Sequence, residues 1–187
     1  MKVKGIFFVT TKATVTEAIG QERWNKFLAR LGAKDKYFKD TIIMAITLMP
    51  LDKCILLFDE LIDECFNGDK NAYVMFGRLG AKWALSPGGP YRSLMLTKDL
   101  KQFVESGLPK IYATYFDGGS VTAKLENNIV YIRITGFPIK HEHNEKLLMG
   151  YYKQVLKVFG KKSTETMIRS LTAGDDDIYL KYELKDF

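Results

Sequence analysis

The chain has 187 residues, 47% of them hydrophobic and 27% charged, with a net charge of +6 and a pI near 9.1. A length in this range closes one core, so a single domain over 1–187 is expected, and the composition excludes a disordered or fibrous chain. The longest apolar run, Ile42 to Met49 broken by Thr47, is far short of the roughly 20 residues of a membrane-spanning helix, and the apolar stretch ending near Val9 lacks a small-residue cleavage site.

Val3 to Thr10 is rich in β-branched and aromatic residues and reads as an opening strand. A short helix capped by Thr14 or Thr16 follows through Ile19, and Gln21 to Leu31 forms another, with Trp24, Phe27, Leu28 and Leu31 at helical spacing before Gly32 ends it. Tyr37 to Met49 shows neither clean period and is read as a buried helix. After Pro50, Cys54, Phe58, Leu61 and Cys65 share one side of a helix closed at Asn67-Gly68. The next helix, Lys70 to Leu85, places Ala72, Phe76, Leu79 and Trp83 on one stripe, with Gly77 and Gly80 small enough for another element to approach. Thr97 caps a helix from Lys98 to Glu105 that Gly107 terminates.

From Pro109 the period reads as two. Lys110 to Phe116, Val121 to Leu125 and Ile129 to Thr135 form a three-strand meander around Asp117-Gly118-Gly119 and Glu126-Asn127-Asn128. A long helix from Glu142 to Gly160 carries Leu148, Tyr151, Val155 and Phe159, and Thr164 to Thr172 with Ile178 to Lys185 forms a closing hairpin. The expected class is α+β: strand, helices, three-strand meander, long helix, C-terminal hairpin, with the N-terminal helices packed on an antiparallel sheet.

Chemistry is sparse in this pattern. No Gly-x-Ser-x-Gly elbow and no glycine-rich phosphate motif occurs, and Gly88-Gly89-Pro90 reads as a connecting loop. Cys54 and Cys65, eleven positions apart on one helix, lie about three turns apart and stay free thiols in a reducing compartment. His141 and His143, with Glu142 and Glu145, are the candidates for a metal, but two histidines one residue apart face the same way only in extended chain and no third ligand presents itself. No metal is therefore expected. Lysines and arginines gather at Arg23, Lys26, Arg30, Lys34, Lys36 and Lys39, and again at Lys153, Lys157, Lys161 and Lys162. Interleaved acids make these solvated helix faces rather than a nucleic-acid surface.

Several residues together carry a resemblance. Leu125-Glu126-Asn127-Asn128, Pro138 and His141, Leu148-x-Gly150 in a long helix, and Leu171-x-x-Gly174-Asp175 before a final strand resemble the small subunits of the TRAPP vesicle-tethering complex. Pro50-Leu51-Asp52 and Gly77-Arg78-Leu79-Gly80 are similar to a bacterial family of unknown function in the same superfamily, which also holds the haem nitric-oxide-binding (H-NOX) and four-vinyl-reductase domains. The resemblance implies an H-NOX/TRAPP-like fold with an apolar cavity and a tendency to dimerise through helical faces.

Haem-binding members use an axial histidine on a helix before the meander and a Tyr-x-Ser-x-Arg set for the propionates. Here no histidine precedes His141, and Tyr91-Arg92-Ser93 has those residue types in another order, so no cofactor, haem included, is expected. TRAPP subunits of this fold can hold an acyl chain on a helix cysteine; Cys65 is read as a buried structural thiol without such an adduct. The reading is thus a cytoplasmic, non-enzymatic sensory or small-ligand-binding domain, its pocket lined by Phe58, Ile62, Cys65, Phe76, Trp83 and Phe103. Its partner is a small apolar ligand or another protein, a second copy of the chain included, with no nucleic acid. The rival is a protein-interaction subunit with a filled core, and the third reading a metal-dependent enzyme at His141 and His143.

Overall fold

The computed structural model describes residues 1–97 and 99–185, which fall into two compact units, one of Lys2–Ala72 and one of Met1 with the described residues from Tyr73 onward. In the first unit, β1 (Lys2–Lys4) and β2 (Leu48–Pro50) pair antiparallel, with Val3 opposite Met49. The helices are α1 (Ile6–Ile19), α2 (Gln21–Lys34), α3 (Lys36–Asp40) and α4 (Leu51–Cys65). The expected strand Val3 to Thr10 ends at Lys4. Phe8, Thr11 and Val15 recur at helical spacing and are the residues α1 buries, so period 3.6 overrides the β-branched composition. Trp24 and Phe27 anchor α2, with Trp24 lying 5.9 Å from the ring of Phe8. Asp35 accepts from the Tyr37 amide at the start of α3 and holds Lys53 at 2.5 Å.

The helix expected over Tyr37 to Met49 is confined to α3. Residues 41–47 turn back instead, because their carbonyls are used elsewhere: the Gly5 and Ile6 amides donate to Thr47 and Ala45. The side chains expected in a core therefore stand in solvent, Ile42 at 84% and Ile46 at 79% exposure.

The second unit opens with α5 (Ala72–Ala84) and a 3₁₀ turn, Arg92–Thr97. The expected helix start at Lys98, with its Thr97 cap, lies outside the described side chains. From Asp99, whose carboxylate accepts from the Gln102 amide, the chain runs through α6 (Leu100–Gln102), a π turn (Phe103–Gly107) and α7 (Leu108–Tyr115). The strand expected at Lys110 to Phe116 is thus helical. Its buried residues Leu108, Ile111, Tyr112 and Tyr115 sit at i, i+3, i+4 and i+7, a stripe that the alternating reading of this segment missed.

The sheet is four-stranded and antiparallel: β3 (Ser120–Glu126), β4 (Ile129–Thr135), β6 (Asp177–Lys185) and β5 (Lys162–Arg169), in that order. Asn127 and Asn128 both take positive φ, which is the two-residue turn that a β3–β4 hairpin requires. Val130, Ile132 and Ile134 pair with Tyr182, Leu180 and Ile178, and this buried face meets α8 (Glu142–Val158). Just beyond the end of α8, the positive φ of Gly160 lets the Lys161 amide donate back to the Leu156 carbonyl.

Helices α5 and α8 pack with their backbones in near contact. A methyl built on Gly77 would overlap the Leu147 carbonyl, and one on Gly150 the Val74 carbonyl, whereas one on Gly80 meets nothing within 4 Å. Gly150→Ala is accordingly expected to cost roughly 1–3 kcal/mol through overpacking, lowering the melting temperature. Gly80→Ala should raise stability by about 0.5–1 kcal/mol through helix propensity alone. Thermal unfolding of the two variants checks both signs.

Candidate functional site

The π turn interrupts a helical run from 100 to 115 for a reason written in the sequence. Pro109 has no amide to donate to Glu105, and its ring would collide with that carbonyl in an α-helix, so the preceding turn widens. Phe103, at the head of the turn, is buried 4.8 Å from the ring of Phe159, and a methyl on Gly107 would press on it at 3.1 Å. Glu105 faces the other way and accepts from the Leu125 amide of β3, an edge strand, at 3.4 Å. Beside the turn lies a groove of about 150 Å³ lined by Leu94, Gln102, Phe103, Ser106, Gly107 and Lys110. π turns recur at functional positions in proteins.

The start of α8 holds the histidines. His141 is its N-cap, its Nδ1 accepting from the His143 amide at 3.1 Å. His143 is buried, edge-on to Tyr73 with ring centres 5.5 Å apart, and its Nδ1 lies 3.1 Å from Asn144 Oδ1. Desolvation pushes the His143 pKa down to about 4. The neighbouring carboxylates are occupied. Glu142 pairs with Lys146 at 2.8 Å, and the buried Glu145 accepts from the Ser170 hydroxyl and from both the amide and hydroxyl of Thr172, fixing the β5–β6 turn. Among the described residues no group of three or more histidine, cysteine, aspartate or glutamate side chains could hold a metal ion.

The other residues named from the sequence fall in both units. Phe58 and Ile62 are fully buried in α4. Cys65, at its end, is partly exposed, with its thiol pKa raised by burial and by Glu64; Cys54 is buried and pushed up to about 12. Phe76 is buried in α5, but Trp83 is 38% exposed. The buried face of α5 takes in Ala72, Tyr73, Phe76, Gly77, Ala81 and Ala84, so the expected stripe holds at Ala72 and Phe76 and fails at Leu79 and Trp83, where the buried face turns to bring Gly77 against α8. Arg92, of the Tyr91-Arg92-Ser93 set, donates to the Pro87 carbonyl at 2.9 Å, and Tyr91 bonds the Thr114 hydroxyl. The π turn was the feature sequence reading missed; Gly107 and Pro109 flanking Leu108 inside an apolar stripe were its signal.

No protein-family profile and no curated protein matches the chain. Solved structures do. An H-NOX protein from S. oneidensis in the Fe(II)NO ligation state is similar at 16% identity, covering 98% of this chain and 99% of that one, with a TM-score of 0.74. The Fe(II)CO state of an H-NOX domain from Shewanella oneidensis gives 18% identity, 98% and 99% coverage and 0.74, and the Fe(II) unliganded H-NOX protein from K. algicida 13%, 98%, 97% and 0.72. The chain therefore has the H-NOX fold along its length. Among the described residues no helix is long and apolar enough to cross a membrane.

Two outcomes follow for this region. An unfolded chain protonates His143 near pH 6.5, whereas the folded one holds it neutral until about pH 4. The unfolded state takes up the extra proton across that window, so stability is complete above pH 6.5 and falls by roughly 3 kcal/mol as pH drops to 4. Urea unfolding of His143→Leu against the parent between pH 4 and 8 should show this component missing from the variant. In folded protein, alkylation should modify Cys65 well before Cys54, read by mass after partial labelling.

Proposed function

We propose that this chain is a haem-free, non-enzymatic sensory domain of the H-NOX fold that binds a small apolar ligand. The observation that carries this is the whole-length match to H-NOX structures in a chain whose donor groups do not suit haem. No histidine precedes His141 in the sequence, so none stands on a helix before the sheet. Cys54 keeps its proton to about pH 12, while His141 and His143 are used in capping and packing at the start of α8. No step of the proposed function passes through haem. The groove at Phe103 has the volume of roughly five water molecules, which suits a ligand of few atoms.

A second reading, an interaction subunit, draws on one observation: Ile42, Met44, Ile46 and Leu48 stand in solvent along one segment, and clustered exposed apolar side chains mark contact surfaces.

The test is spectroscopic. Protein purified from cells supplied with haem precursor should show no Soret band, and added haemin should bind without stoichiometry. A stoichiometric Soret band lost in His141→Ala or His143→Ala would overturn the haem-free reading. Native mass spectrometry of the same preparation should show a small retained mass. For the second reading, Ile42→Ser with Ile46→Ser should lower the oligomeric mass in light scattering.

A further inference from the structure

The face of the sheet turned away from α8 is open, with Thr122, Lys124, Arg133 and Ile168 exposed on it. Strand register arranges this face in rows. One row runs Arg169, Tyr179, Arg133, Thr122 across the four strands, and the next holds Lys181, Tyr131 and Lys124. Each tyrosine therefore has a cation in register on both sides, and the two rings stack on one another with centres 6.0 Å apart. They line a groove of about 660 Å³, within the range of sites for small molecules.

Arg169 belongs to this face only through an irregularity in β5. Strict alternation would turn it inward with Met167 and with Glu165, which meets Lys153 of α8. The register shifts between Met167 and Arg169, so that Ile168 falls outside the ladder and Arg169 stands opposite Tyr179. There Arg133 and Arg169 converge on the buried carboxylate of Asp177. Arg133 hydrogen-bonds Oδ2, while Arg169 Nε stands 2.8 Å from Oδ1 off the hydrogen-bond axis and 3.5 Å from Asp175. Cross-strand packing accounts for the paired rings, and one arginine would answer Asp177. Neither accounts for a bulge that brings a second guanidinium to the same carboxylate.

Both arginines approach Asp177 through Nε, and a guanidinium carries four further N–H donors on its Nη atoms. Asp177 and Asp175 hold them from outside the groove. The charged groups that line it are Lys124, Arg133 and Arg169 against one carboxylate, Glu126, which lies 3.9 Å from Lys124. A single arginine fork satisfies a carboxylate, whereas two forks beside each other suit the three terminal oxygens of a phosphate. Exposed tyrosine rings suit a planar base. We propose that the open face of the sheet is a binding site for a nucleoside monophosphate, its base on the Tyr131 and Tyr179 rings and its phosphate between Arg133 and Arg169. The site shares no residue with the groove at Phe103, so it and the haem-free reading stand or fall separately.

The experiment titrates adenosine 5′-monophosphate into the full chain, followed by calorimetry and by the proton NMR shifts of the base. The parent should bind with one-to-one stoichiometry, and the base protons should move upfield under the tyrosine rings. Adenosine and inorganic phosphate, each carrying half of the recognised chemistry, should bind roughly tenfold or more weakly. Tyr179→Leu should weaken the nucleotide roughly tenfold and reduce the upfield shift, and Tyr179→Phe should keep both near the parent. Arg133→Gln would also unpair the buried Asp177, so the phosphate is tested with Arg169→Lys, which keeps the charge and removes the fork. It should weaken the nucleotide roughly three- to tenfold and leave the affinity for adenosine unchanged. Lys26→Gln, on α2, should alter neither.

A single-stranded oligoadenylate separates a free nucleotide from a strand. Binding no tighter per nucleotide than the monophosphate supports the proposal; binding roughly a hundredfold tighter assigns the face to single strands and overturns it. The proposal is overturned as well if the monophosphate does not bind, if inorganic phosphate binds as tightly as the monophosphate, or if Tyr179→Leu with a parent-like near-UV spectrum binds it like the parent.

Discussion

At the crossing of α5 and α8 no side chain separates the two backbones. Gly77 lies against the Leu147 carbonyl and Gly150 against that of Val74, an approach that any larger residue would prevent. Much of the C-terminal unit is built outward from this contact. With one face of α8 given to α5, the rest meets the sheet, where Tyr182 of β6 donates to the Met149 carbonyl and Lys153 reaches Glu165 of β5. The helix start then positions the His141 cap and the buried Glu145 that secures the β5–β6 turn, and its other end carries Lys153 and Lys157.

The parts of this arrangement that the sequence announced are those with a single dominant local signal. Residues 142–158 carry a long helical stripe, Asn127-Asn128 accepts the positive φ of a tight hairpin, and the alternation of Ile178, Leu180 and Tyr182 survives in β6. The misread segments are those in which two periods compete. Between Leu108 and Tyr115 alternate residues are apolar, but the burial follows i, i+3, i+4, i+7. Residues 41–47 are apolar without being core, because their backbone is committed to Gly5 and Ile6. A groove lined by basic side chains in the C-terminal unit was half legible. Lys153, Lys157, Lys161 and Lys162 are neighbours in the chain, whereas Arg78 and Lys185 join them only through the helix crossing and the strand register.

Buried polar groups in the C-terminal unit are mostly answered from within it. Glu145 is met by Ser170 and Thr172, Asp177 lies between Arg133 and Arg169, and Asn144 donates to the Ile139 carbonyl. Aromatic rings do much of the filling, Phe103 against Phe159 and Tyr115 between Tyr91 and Tyr151. Burial raises the pKa of Tyr112, Tyr115, Tyr151, Tyr152 and Tyr182, so these phenols remain neutral at physiological pH and serve as packing with a polar tip.

The central claim is the proposal that this chain, of the H-NOX fold, folds without haem. The most direct measurement is refolding from urea in haem-free buffer, followed by near-UV circular dichroism and a second unfolding curve. The account predicts full recovery of the near-UV signal and one cooperative transition that added haemin leaves unchanged. Recovery of helical signal alone, with near-UV structure and cooperativity returning only on addition of haemin, would contradict it.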